Sequence, residues 1–209
     1  FANCTSITST AHWFNGCKNM SSVSGIQYLK TDNVTDMKDM FSYCRSLPSI
    51  DVSGFNTSNV MTMSGMFALC ESLTSLDVSG FKTDKVINMS SMFNSCKSLT
   101  TLDVSGFNTA NVTDMAGMFF SCTSLTDLNL SNFNTANVTT MNSMFHYCIG
   151  LTNLDVSNFN TEKVTSMASM FWNCHSLTSL NISSFVTPYV TNVEDMFSEC
   201  SSLTTILVG

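Results

Sequence analysis

Apolar side chains recur along this chain in a set order, and the order begins again every 26 residues. In the copy that opens at Leu73 the spacing is L-x-x-L-x-V (Leu73, Leu76, Val78), followed by Gly80-Phe81, then Val86, Met89, Met92, Phe93 and Cys96. Cys44, Cys70, Cys96, Cys122, Cys148, Cys174 and Cys200 mark the same position in successive copies. A fixed period of this size is the mark of a solenoid, in which each copy forms one coil and buries its apolar face against its neighbours. The motif can be traced back into Trp13-Phe14-Asn15-Gly16-Cys17 with one residue inserted, so residues 1–17 read as a half-turn cap. Residues 18–209 read as a single solenoid of about seven turns. An uncapped last strand would leave an open sheet edge, and the pattern is expected to continue beyond Gly209.

Each part of the period predicts an element. Leu73, Leu76 and Val78 fit a short strand that turns alternate side chains inward, and Leu47/Ile50/Val52 to Leu203/Ile206/Val208 fill the same slots. One strand per coil predicts a parallel sheet, roughly 35 Å long at a spacing of about 4.8 Å. Gly54, Gly80, Gly106, Asn132, Asn158 and Ser184 then mark a turn. The corner residues Phe55, Phe81, Phe107, Phe133, Phe159 and Phe185 predict a column of stacked rings, with Leu29 in the first turn. Next comes a recurrent Thr (Thr57 to Thr187), before Asp84, Glu162 or Pro188 in three copies, which has the form of a helix N-cap. Val60, Met63, Met66 and Phe67 follow at i, i+3, i+6 and i+7, one face of a helix. The expected fold is therefore an α/β solenoid, with one short parallel strand inside and one short helix outside per turn.

Most of the fifteen Met residues fall in the two helix-face columns, where an unbranched side chain fills the gap between layers. The cysteine column is expected to be a ladder of buried free thiols, since Cys packs as a small apolar residue. Inter-coil disulfides would need Cβ vectors that stacking aims alike, and zinc would need C-x-x-C pairs or matched His. Cys4 and Cys17 lie outside the ladder and leave a local cap disulfide open.

Composition narrows the function. Only 11% of residues are charged, the net charge is −7 and the pI is about 4.6, with no Lys/Arg cluster. Nucleic acid and anionic membranes are disfavoured as partners, and a basic or neutral one stays open. No apolar run approaches the roughly 20 residues a membrane helix needs, so no membrane insertion is expected. His12, His146 and His175 are accompanied by no nucleophile motif, carboxylate pair or phosphate-binding glycine loop. No enzymatic activity, cofactor or metal is expected.

Two rows break the template. Asp51, Asp77, Asp103 and Asp155, with Asn129 and Asn181 between and beyond them, form an outward acidic strand row. One carboxylate per strand falls short of a calcium site, which leaves a solvated face or a weak acidic strip. Just before the cysteine, the column Ser42, Ala68, Asn94, Phe120, His146, Trp172, Ser198 presents three consecutive rings, with Tyr147, Ile149 and His175 alongside. Such a set is either a partner-binding patch or a group of rings folded over the loops.

The string Leu102-Asp103-Val104-Ser105-Gly106-Phe107-Asn108-Thr109-Ala110-Asn111-Val112-Thr113-Asp114-Met115-Ala116-Gly117-Met118-Phe119-Phe120-Ser121-Cys122-Thr123-Ser124-Leu125 resembles the BspA-like bacterial surface repeats, a branch of the leucine-rich repeat proteins. The resemblance covers residues 18–209. It departs at Val193, Pro188-Tyr189 and Leu29. It implies a secreted or cell-surface-anchored bacterial protein that adheres to host matrix or cell-surface proteins, without catalytic residues. A spacer that projects another domain, or a glycan-binding solenoid using Trp172 and Tyr147, are the alternatives.

Overall fold

The computed structural model describes residues 5–209, and the repeat forms one stacked solenoid with the apolar columns inward. Val60, Met63, Met66, Phe67, Cys70 and Leu73 are fully buried, as are their counterparts in the coils through Cys174. The columns read from the sequence are the core. Backbone geometry differs from the expectation in two ways.

The expected helix is absent: the described residues contain no α-helix and only one short 3-10 segment, Ile26–Tyr28. The arc from Met63 to Cys70 is instead a run of tight turns. Met66, Ala68 and Cys70 donate N–H to the carbonyls of Met63, Gly65 and Phe67, three residues back. Met63, Gly65, Phe67 and Leu69 donate instead to Asn88, Ser90, Met92 and Asn94 of the next coil, at 3.0, 2.8, 2.9 and 2.6 Å. The cause lies in two left-handed positions per coil: Gly65 and Leu69 have φ of 61° and 59°, and Ser91/Ser95, Gly117/Ser121 and Ser143/Tyr147 repeat the pair. A left-handed residue reverses the chain and cannot sit inside an α-helix. A turn and a helix share the three-residue step, so the Met-x-x-Met spacing could not separate them.

The recurrent Thr does not cap a helix. Thr57 is buried, and its Oγ1 donates to Lys82 O (3.0 Å) while accepting from Lys82 N (2.7 Å). Thr83, Thr109 and Thr135 hold Asn108, Asn134 and Asn160 in the same way. Each hydroxyl thus satisfies two backbone groups of the next coil. The residue after the Thr enters a single β-turn closed by Val60 N→Thr57 O at 3.0 Å. Pro is as well placed at the second position of that turn as at the first of a helix.

The second difference concerns the strands. Regular strands occur at β1 (Ser179–Ile182) and β2 (Thr205–Val208), paired in parallel with Ser179 opposite Thr205 and Ile182 opposite Val208. Earlier coils are extended over the same slots, with one bridge between Ser49 and Ser75. The uninterrupted parallel ladder runs elsewhere, through single-residue bridges Ser9, Asp36, Thr62, Asn88, Asp114, Thr140, Ser166 and Asn192. Coils are joined on the arc by every second N–H, whereas the strand side of the Leu73 coil contributes Ser72 N→Arg45 O and Thr74 N→Pro48 O. The arc thus ties every coil to the next, whereas the strand side carries a regular ladder only between β1 and β2, and residues 100–103 with 126, 127 and 129, and residues 127–131 with 153 and 155, line openings of about 290 Å³ and 330 Å³ there.

Ring stacking also falls on a different column from the expected one. Phe14, Phe41, Phe67, Phe93, Phe119, Phe145, Phe171 and Phe197 stack face to face, with centroids 5.3–6.0 Å apart. Phe55, Phe81, Phe107, Phe133 and Phe159 are buried at the corner, and Phe185 is half-buried, without a ring stack among the described residues. The column cysteines, Cys44 to Cys200, are free and form the expected ladder, each Sγ donating to a Phe carbonyl one coil back: Cys70 to Phe41 O at 3.2 Å, Cys122 to Phe93 O at 3.1 Å. Cys17 is exposed, and the expectation for Cys4 lies outside the described residues.

Candidate functional site

The ring column lies within the run of tight turns, just before the second left-handed residue of each coil. Phe120, His146 and Trp172 each precede a left-handed residue (Ser121, Tyr147, Asn173; φ 55–60°) and donate N–H back three residues to Gly117, Ser143 and Ser169. That bend turns their side chains off the core, and all three are half-buried. The next residue locks the register, Ser121 N to His146 O and Tyr147 N to Trp172 O, both at 2.7 Å.

The register stacks the three rings. Phe120 and His146 lie 4.4 Å apart between centroids at 11°, and His146 and Trp172 lie 4.5 Å apart at 22°. Tyr147 flanks Trp172 at 6.0 Å and is 39% exposed. Burial pushes the His146 imidazole below its ordinary pKa, opposed in part by the Ser169 backbone, and its Nδ1 is buried without a hydrogen-bond partner. The imidazole is held between two aromatic rings as the middle member of one continuous stack.

Ile149 and His175 lie one column over and join no ring stack among the described residues. Ile149 is half-buried; His175 is exposed, with Nδ1 3.2 Å from Ser201 Oγ. That column changes character along the molecule. Arg45 and Lys97 each lie 3.6 Å from Glu71, and the later members of the column are Thr123, Ile149 and His175.

The acidic row is explained locally. Asp51, Asp77 and Asp103 each accept at Oδ1 from the N–H and the hydroxyl of the Ser two residues on, at 2.6–3.0 Å. Asp155 accepts from Ser157 N at 2.9 Å. The Ser hydroxyl first, then its N–H, hold all four carboxylates below their ordinary pKa. Asn129 and Asn181 make the same pair of bonds to Ser131 and Ser183, so the position asks for a side-chain oxygen and not a charge. Asp127 was not singled out by the pattern, yet it lines two neighbouring openings with Asp103 and Asp155. Its only sequence signal was an acid in a slot filled elsewhere by Ser, Thr or Asn. Among the described residues no three His, Cys, Asp or Glu side chains converge as a metal site.

The sequence matches the family described as "Mycoplasma protein of unknown function, DUF285" over residues 8–124 and again over 88–208. The chain belongs to this family. No curated protein matches it. Among solved structures, this DUF285 chain is similar to a leucine-rich repeat protein from Bacteroides ovatus, with 18% identity and a TM-score of 0.42, over 97% of this chain and 59% of that one. It is also similar to the functional domain of InlJ from Listeria monocytogenes, which includes a cysteine ladder, with 17% identity and a TM-score of 0.27, over 96% and 53%. The DUF285 chain thus spans little more than half the length of either.

Proposed function

We propose that this DUF285 chain is a non-enzymatic recognition module of the BspA-like kind, displayed on or secreted from a bacterial cell, that binds a protein through the edge carrying Phe120, His146, Tyr147 and Trp172. The observation that carries this reading is the ring stack itself: three half-buried rings on consecutive coils, bordered by an exposed Tyr, in a solenoid whose other edge positions are mostly small or polar. A contiguous apolar surface on a rigid frame favours a partner that buries it, since little ordering entropy is lost on binding. Protein is favoured over glycan because the stack covers both faces of His146 and one face each of Phe120 and Trp172, so a partner meets mainly ring edges and the Trp172 end rather than a broad platform of open aromatic faces.

The test compares the native chain with His146→Ser and Trp172→Ser, which install the residue that Ser42 and Ser198 already occupy in other coils. Both variants and the native chain are applied to an array of extracellular matrix proteins and to a glycan array. Capture of a matrix protein by the native chain, lost in the variants, is the expected result. Capture that survives both substitutions, or capture on glycans alone, overturns the reading, and blank arrays favour the spacer.

A further inference from the structure

The ring stack lies in the part of the molecule that carries all of its net charge. Residues 1–97 hold seven Lys/Arg against seven Asp/Glu and are neutral, whereas residues 98–209 set Lys163 against eight carboxylates and account for the whole −7. The coil after Trp172 carries Glu194, Asp195 and Glu199, all exposed, and no Lys or Arg follows Lys163. In the ring column that coil places Ser198, a side chain too small to cover an indole. Ser198 Oγ donates to the Asp195 carboxylate at 2.9 Å. The stack therefore ends on an indole, followed by a residue that holds a carboxylate at the same end.

An indole face attracts cations through its quadrupole, and Arg makes this contact more often than Lys. A carboxylate beside the face adds a charge-assisted hydrogen bond with the planar guanidinium fork. The charge imbalance acts over a longer range, steering positive groups toward this half and repelling polyanions. The neutral N-terminal half, with its Arg45–Glu71–Lys97 cluster, offers no such field.

We propose that the occupant of the ring surface is a basic polypeptide segment, in which an Arg or Lys packs at the Trp172 end of the stack and neighbouring cations meet Asp195 and Glu199. The inference rests on the ring edge being a binding surface and adds the chemistry of what it binds.

The experiment measures fluorescence anisotropy of labelled short peptides alternating Arg/Leu, Ser/Leu or Glu/Leu against the full chain. The variants are Trp172→Ser, Trp172→Phe, the pair Asp195→Asn/Glu199→Gln, and the pair Asp51→Asn/Asp77→Asn, which removes two charges from the neutral half. The Arg/Leu peptide is expected to bind best and to weaken as salt rises. Its affinity should fall about ten-fold in Trp172→Ser and in the Asp195/Glu199 pair, recover in part in Trp172→Phe, and stay unchanged in the Asp51/Asp77 pair. Equal binding of the three peptides overturns the inference, as does an equal loss in the two charge pairs. If Trp172→Ser abolishes matrix-protein capture while the Asp195/Glu199 pair leaves it intact, the basic partner is wrong and the ring surface stands.

Discussion

At the scale of single residues, the buried Thr column does more than its composition implies. A Thr at this place in the repeat reads as a helix N-cap. Its neighbours in space instead make it a clip, because each hydroxyl pairs with both the N–H and the C=O of a residue 25 positions on. Thr109→Val keeps the shape but leaves Asn134 N and O without that partner inside the stack, at a cost of about 1–3 kcal/mol. Thr109→Ser should retain most of the stability. The control is Thr113→Val, whose exposed hydroxyl donates only to Ile87 O and whose loss should be nearly neutral. Urea denaturation of the three variants checks this, and equal midpoints for Thr109→Val and Thr113→Val would refute the clip.

At the scale of the element, the arc is built from residues in a conformation that side chains avoid. Gly65 shows why identity matters at one such site: a Cβ there would lie 2.0 Å from Asp39 Oδ1 of the preceding coil, on a backbone already at φ 61°. Gly117 has the same φ, but its nearest neighbour, Ser91 Oγ, would be 3.4 Å away. Both substitutions should cost about 1 kcal/mol for the left-handed backbone, and Gly65→Ala more by whatever it costs to swing the Asp39 carboxylate aside. Asp39→Ser in the Gly65→Ala background should restore part of the loss by clearing the contact. Thermal melting of the four proteins reads this coupling, and a Gly117→Ala loss as large as that of Gly65→Ala would show that φ alone sets the cost.

At the scale of the whole molecule, the thiol column links the coils to pH. Burial, foremost, and then neighbouring thiols raise Cys44 and Cys70 from an ordinary 9.0 to about 12, and Cys96, Cys122 and Cys148 well above 9.0. Folded protein thus keeps its thiol protons after the unfolded chain has lost them. The sign follows: stability is complete below pH 9 and falls as pH rises from about 9 toward 12, by up to about 1.4 kcal/mol per pH unit for each such thiol. Urea midpoints between pH 7 and pH 11 should be flat and then drop, about pH 9 being the turning point. Cys70→Ala should lessen the drop by about one thiol's share while lowering the plateau. A drop of the same steepness in Cys70→Ala would assign it to other groups.

Much of this was legible in the chain itself. The period determined which side chains share a column, and the recurrence of apolar residues in a column showed which face is buried: the slots of Met63, Met66, Phe67 and Cys70 stay apolar in every full coil from Met37 to Cys200. Those facts depend only on hydrophobic burial repeated in register. What the chain left undecided was the path between buried positions, since a three-residue step suits a helix and a tight turn equally. Inter-coil hydrogen bonds decided it, by accepting every second N–H of the arc and holding Gly65 and Leu69 left-handed. Three-dimensional stacking likewise selected which aromatic column became a ring stack and brought Phe120, His146 and Trp172 face to face, because those contacts form only between residues 26 apart that the coil lays side by side.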